Sequence, residues 1–437
     1  TPVQIIERGG YSPLDARERV VVGFVASDLP AFGYRAYRVQ YGDEATIEAP
    51  RSRIPAVENE FFRVEANPLD GTLAVEEKRT RRRITGLNRF VDGGDRGDEY
   101  NYDRPMRDEV VELPARAPEI RVSEFGPARF TLELRMAYAL PARLTPDRDG
   151  RAQERVQCQI VTRAHLYPGI PRIDIETEVE NRAEDHRLRV HFPSGLRADR
   201  TYAEQHFGVL ERPVAVPEDD GTWFETPVGT YPQKSFVDVS DGERGLMIAN
   251  RGLPEYEALT EADGTITIAV TLLRCVSWLS RSDLRTRRGH AGPGIHTPGA
   301  QMPGRWRFQY AVLPHAGTWE QAYFQAHHFL RPPRAVRTSR GTGSLPPDGS
   351  LLELEPPAVT LSTLKPAEED DGVVLRVYNI APNSLEARVR LNAAFSQVER
   401  VNLNEEEPQT IDAIDGSVRL PMKRNEIATL KFKEARR

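Results

Sequence analysis

The sequence predicts an all-β protein, and three observations carry that prediction. Alternating or β-branched runs recur along most of the 437 residues, and Gly, Pro, Asp or Asn separates each from the next. Only one segment, near residues 318–330, has a helical period. No strand-helix-strand succession is present to carry a parallel sheet.

The opening residues 1–50 hold ERVVVGFVA and YRAYRVQY, either a small β unit or the first strands of the main one. Residues 51–335 hold the longest series: FFRVEA, GTLAVEE, ARFTLELRMAYAL, ERVQCQIVTRAHLY, RIDIETEVEN, LRVHFP, TITIAVTLLRCV and WRFQYAVL. RIDIETEVEN shows the period well. Ile173, Ile175, Thr177 and Val179 share one face, and Asp174, Glu176, Glu178 and Glu180 share the other, as in a strand packed on one side and wet on the other. In TWEQAYFQAHHFL the residues Trp319, Ala322, Tyr323, Ala326 and Leu330 fall on one helical face. Thr318 is placed to cap that helix, and Pro332-Pro333 to end it. The Pro-, Gly- and Ser-rich stretch that follows predicts a linker over 336–350. Residues 351–437 return to short β runs (VVLRVYNIA, LEARVRLNA, VERVNLNE, SVRLPM, IATLKFKE), the spacing of a small separate sandwich.

The length suits two to four domains, with 39% hydrophobic and 28% charged residues, as in a soluble globular protein. A net charge of −6 argues against a general nucleic-acid binder. No run approaches the ~18 apolar residues of a membrane span, and TPVQIIERGGYSPLDARERV is no signal peptide. Cys158 and Cys275 lie far apart in apolar segments and read as buried small hydrophobes, so a cytoplasmic protein is expected. Six of the 59 basic residues are lysines, leaving 53 arginines. Codon bias explains such a skew, and so does a need for bidentate donors to hydroxyls and carboxylates.

The motifs exclude more than they assign. No G-x-S-x-G elbow, P-loop or G-x-G-x-x-G follows a strand. His327-His328 are adjacent on the helix rather than four apart, and His290 and His296 lie in a Gly/Pro-rich loop without further ligands, so no metal site is expected. The most unusual stretch is DGGDRGDEYNYDRP, residues 92–105. Asp92, Asp95 and Asp98 are three apart, which is not the alternation of a calcium loop. A noncanonical oxygen-ligand site and a glycosidic carboxylate pair both stay open at this point. Its glycines permit tight turns, its aspartates cap turn N–H groups, and Tyr100 and Tyr102 offer flat faces with hydroxyl tips, suited to a sugar ring.

LNRFVDGGDRGDEYNYDRP (87–105) resembles the loop of bacterial α-mannosidases of glycoside hydrolase family 38, where a Gly/Asp run leads into GDxYNYxPP. Four further segments agree in order: 181–195 with its DHRLRV, 231–257, 271–304, and the terminal strands over 376–432. Motif by motif, the resemblance covers nearly the whole chain. It implies a galactose-mutarotase-like supersandwich over 51–335 and smaller flanking β-sandwiches. It implies that Tyr100 reaches a bound mannoside, with Asp98, Asn101 and Tyr102 supporting it, and that this chain has no catalytic residue of its own. Arg212, Glu255, Tyr256 and Arg274 lie in matching segments without an assigned role.

Family 38 enzymes carry their zinc, nucleophile and acid/base on an N-terminal α/β domain, whose H-x-D signature this sequence lacks. The resemblance therefore implies the non-catalytic C-terminal region of a retaining α-mannosidase, inactive alone and with no cofactor of its own. Its expected partners are the zinc-bearing catalytic domain and a mannose-containing glycoside, with self-association left open and with neither nucleic acid nor membrane. A broad apolar surface patch should face that domain. The alternative is an autonomous carbohydrate-binding module.

Overall fold

The computed structural model describes residues 2–9, 19–40, 55–339 and 341–434. Parts of the opening segment 1–50 thus lie outside the described residues. Among the described residues, thirty-one strands and a single α-helix make the fold all-β, and the strands pair antiparallel within their sheets. The chain divides into two compact units. One comprises Thr1–Val25, Glu44–Ala203 and Glu211–Pro332, and the other Ala26–Asp43, Glu204–Leu210 and Pro333–Arg437.

The first unit is a supersandwich. A large sheet contains, side by side, Phe236–Ser240, Arg244–Asn250, Gly304–Ala316, Ile173–Asn181, Arg155–Leu166, Phe130–Pro141 and Glu119–Phe125. A five-stranded sheet runs Thr230–Pro232, Glu255–Thr260, Ile266–Cys275, His186–Pro193 and Arg89–Gly94, which is its edge. A four-stranded sheet is built from Ala56–Glu58, Phe62–Ala66, Leu73–Glu77 and Arg83–Leu87. One continuous apolar core joins them, including Phe90, Leu134, Ile175, Phe192, Ile248 and Val270.

Side-chain alternation decides which face of each strand meets that core. In Ile173–Asn181 the odd positions are buried, as the period predicts. The other face is more structured than a merely wet one. Arg163 reaches Glu133 at 2.9 Å, Glu176 at 3.2 Å and Glu178 at 2.7 Å, and Arg307 pairs with Glu176. Arginine suits this arrangement because one planar fork serves several carboxylates. In the core a polar chain crosses between sheets. Tyr310 donates to Asn88 Oδ1 at 2.6 Å, and its hydroxyl lies 2.7 Å from Thr177 Oγ1. Asn88, at φ 61, turns the chain into the edge strand Arg89–Gly94.

The helical segment begins as a 3-10 turn, Trp319–Gln321, and continues as Tyr323–Leu330. The Thr318 backbone N–H donates to Gln321 Oε1, at 2.8 Å. Phe329 is buried, whereas Leu330 is only half-buried.

The second unit holds a β-sandwich. One sheet is Leu352–Glu355, Leu385–Leu391, Ser417–Met422 and Ala413–Ile414; the other is Val359–Pro366, Val373–Asn379, Ile427–Glu434, Phe395–Val401 and Gln409–Ile411. Ala387, Val389, Val418, Leu420, Leu375 and Leu430 form its core. Near the chain's start, Gly33–Arg35 pairs with Asp348–Ser350, so part of the opening segment belongs to this unit and the end of the Pro/Gly-rich stretch is itself a strand.

Candidate functional site: the 95–105 loop and its arginines

The loop leaves the edge strand Arg89–Gly94. Along that strand Phe90 points into the core, and so does Asp92 two residues on. Asp92 is 1% exposed and sits between two cations, 2.5 Å from Arg151 Nη2 and 2.5 Å from His186 Nδ1. Burial alone would raise its carboxyl, but His186 and Arg151 hold it below the ordinary carboxylate range. Burial alone would lower His186; Cys275 and Asp92 instead raise it well above 6.5. Nε2 of His186 lies 3.1 Å from Asn181 Oδ1. Of the rest of Asp185-His186-Arg187, Asp185 binds Gln301, and Arg187 lies 3.5 Å from the centre of the Tyr102 ring.

The loop's other aspartates repeat the pattern. Asp95 accepts the Gly97 N–H at 2.8 Å and Arg274 Nε at 2.8 Å. Asp98, fully buried, accepts the N–H groups of Tyr100, Asn101 and Arg281 at 2.8–3.0 Å and Arg287 Nη2 at 2.6 Å. Burial would raise its carboxyl as well, but the Arg287 bond and those backbone donors hold it low. Asp103 accepts the Arg285 backbone N–H and its Nη2, both at 3.0 Å. Each carboxylate thus has its own guanidinium, leaving neither an open acid pair nor an oxygen cage. Among the described residues no group of three or more His, Cys, Asp or Glu could hold a metal ion.

Arg274 also donates to the Asp98 and Asn101 carbonyls, at 2.6 and 3.0 Å. Asn101 is bonded through its side chain to Arg287 and to Glu225. Tyr102 is half-buried, and burial raises its phenol. Gly97 is required by close approach, since a Cβ there would lie 2.0 Å from the Asn101 carbonyl oxygen. Gly97→Ala should cost roughly 1–3 kcal/mol, measured as a lower urea midpoint.

Tyr100 is the exception in this network. It is 53% exposed, and its hydroxyl makes no hydrogen bond among the described residues. Its ring stands beside Gly292, where a Cβ would meet the phenol oxygen at 2.8 Å. The neighbouring loops are joined to its support. Arg288 N donates to the Phe224 carbonyl, Thr226 N to that of Thr286, and Glu99 N to that of Trp278. Trp223, Phe224 and Ile295 on these loops are exposed.

The segment-matched residues have structural contacts. Arg212 stacks 4.7 Å from the Tyr231 ring centre, Glu255 accepts Thr271 Oγ1 at 2.5 Å, and Tyr256 is buried with its hydroxyl 2.9 Å from Thr201 Oγ1. Sequence reading missed Arg151, Arg281, Arg285 and Arg287 as partners of the loop. The arginine excess was the one signal that pointed to them.

Comparison with known proteins gives this geometry a context. Residues 57–281 match the glycosyl hydrolases family 38 C-terminal domain, and residues 358–430 match that family's C-terminal beta sandwich domain. The crystal structure of an alpha-mannosidase from Enterococcus faecalis V583 superimposes with a TM-score of 0.83 at 26% identity, over 99% of this chain and 49% of that one. A protein of Halalkalibacterium halodurans named for mannosylglycerate hydrolysis is 28% identical over 449 residues, 98% of this chain and 47% of its own length. Alpha-mannosidase 2C1 of Mus musculus is 27% identical over 219 residues, 49% of this chain and 18% of that protein. The chain spans about half the length of the two bacterial proteins. With a family domain matched over 57–281 and its β-sandwich over 358–430, this chain belongs to the glycosyl hydrolases of family 38, of which it carries the C-terminal β domains.

Proposed function

We propose that the chain completes the sugar pocket of a retaining α-mannosidase by presenting the Tyr100 phenol to a mannoside. The zinc and the catalytic carboxylates would be held by a separate catalytic domain. One observation carries this reading: a loop whose four aspartates are all neutralised presents the 53% exposed Tyr100, whose hydroxyl makes no hydrogen bond among the described residues. A phenol already ordered by its loop can bond a sugar hydroxyl with little further loss of entropy. The exposed Trp223, Phe224 and Ile295 beside it support docking of a further domain on this side. In this reading Asp98, Asn101 and Tyr102 position the loop and touch no substrate, and the chain alone hydrolyses nothing. A cytoplasmic location belongs to the same proposal, in keeping with two free, buried cysteines.

The test joins this chain to a family 38 catalytic domain and compares Tyr100→Phe with the parent. Removing one substrate hydrogen bond should lower kcat/KM about tenfold, with an unchanged melting temperature because the side chain is half exposed. An unchanged kcat/KM would overturn the role of Tyr100. The same exposed aromatics favour, as a second reading, a module that binds sugar unaided. Calorimetry of the chain with mannose, mannobiose and mannosylglycerate separates the two. Binding tighter than about millimolar, lost in Tyr100→Phe, supports the module.

A further inference from the structure

The face of the five-stranded sheet turned away from the core is lined with charge. Cross-strand register places Arg89, His191, Ala269 and Glu257 in one row, and Val91, Arg189 and Thr271 in the next. The small Ala269, itself fully buried, separates His191 from Glu257 in that row. Two acceptors on this face are engaged. Arg189 donates to Glu257 at 2.5 Å, and Thr271 donates to Glu255.

Several donors on the same face are not engaged. His191 is 4% exposed, and neither ring nitrogen makes a hydrogen bond. Nη1 of Arg187, a residue 6% exposed, is buried without a hydrogen bond, as is Nε of Arg89. The carboxylates nearest Arg187 are 3.8 and 4.0 Å away, and those nearest Arg89 are 3.8 and 3.9 Å away. A buried polar group without a partner costs about 1–3 kcal/mol, and folded proteins retain few of them. Three such side chains on one sheet face point to a missing acceptor. At His191 the field has the matching sign. Burial holds His191 well below 6.5, and Arg189, Arg89 and Arg187 push it the same way, so the imidazole is neutral in a positive environment. The Tyr102 ring, 3.5 Å from the Arg187 guanidinium carbon, holds that fork in place.

We propose that this sheet face binds a small oxyanion, the carboxylate or phosphate group of a metabolite, through Arg89, Arg187 and His191. The site is independent of the role of Tyr100. The buried unbonded atoms here are the nitrogens of two arginines and a histidine, which favours an oxyanion over a neutral sugar, whose hydroxyls need acceptors as well as donors.

NMR of the His191 ring, assigned by its loss in His191→Gln, tests the proposal in the full chain. Inorganic phosphate, acetate and mannose are titrated separately at ionic strength held constant with chloride. The expected result is a saturable shift of the His191 signals with phosphate or acetate, together with a rise in its pKa. The anion that saturates identifies the ligand group. Arg187→Met should weaken that binding about tenfold or more, and Arg89→Met serves if the first variant does not fold. No saturable shift with either anion, as a trapped water would give, overturns the proposal. So does a response to mannose alone, or an equal anion response in a folded arginine variant.

Discussion

Arg287→Met is expected to destabilise the chain by about 3–5 kcal/mol, as removal of one partner from a buried ion pair does. Both side chains of the Asp98–Arg287 pair are 0% exposed. The guanidinium also serves the Arg281 carbonyl at 2.9 Å and the Gly289 carbonyl at 3.2 Å. Its loss would leave the Asp98 carboxylate buried with only backbone donors to hold its charge. Those donors keep the loop turn formed, so the cost falls on stability and on the position of Tyr100 together. Urea unfolding followed by circular dichroism checks this, with a lower midpoint and an unchanged slope as the expected pattern. Arg287→Lys should recover only part of the loss, because an ammonium cannot span the sites that the planar fork fills. Arg307→Met, at a solvated pair with Glu176, should change stability by less than about 1 kcal/mol. Equal midpoint shifts for Arg287→Met and Arg307→Met would show that Asp98 does not depend on its guanidinium.

Asp92→Asn is the second large effect, again about 3–5 kcal/mol. The amide cannot balance Arg151, and it turns a donor toward one of two groups that themselves donate. This pair also predicts a pH profile. Asp92 has a depressed folded-state pKa, so its contribution is present above the unfolded value near ~3.9 and is lost as pH falls through the folded value. His186 has a raised pKa, so its contribution is full below the unfolded value near ~6.5 and is lost as pH rises through the folded one. The pair therefore stabilises most between about pH 4 and pH 6.5. Urea midpoints measured across pH should show both flanks in the parent chain and weaker ones in Asp92→Asn, where Asp98 still contributes to the acid flank. Flanks of equal size in parent and variant would count against the ionised pair.

What could be read before the structure was whatever repeats locally. The period of Ile173–Asn181 fixes its buried face because side chains alternate on a strand whatever lies opposite. The helix near 318–330 was legible for the same reason, although Phe329 rather than Leu330 fills the last core position, since the segment starts as a 3-10 turn and the helical register begins only at Tyr323. The pairing of Gly33–Arg35 with Asp348–Ser350 was not legible, because no local pattern links strands more than 300 residues apart. At the loop, the turn-capping role of Asp95 and Asp98 follows from their type and spacing. Their guanidinium partners do not, because carboxylate and arginine meet only through the tertiary fold. The arginine excess was visible as composition, and only the fold says which arginine answers which aspartate.

The order of synthesis follows from those pairings. The bonds from Arg274, Arg281, Arg285 and Arg287 to the loop span 173 to 189 residues of sequence. At ordinary translation rates the aspartates emerge roughly 10–40 s before the arginines that neutralise them. During that interval the 95–105 segment is an acidic, solvated strand end whose shape is not yet determined. Tyr100 acquires its final position only when residues 274–287 close over the loop. The part of this protein that presents a functional group is therefore among the last of its supersandwich to form.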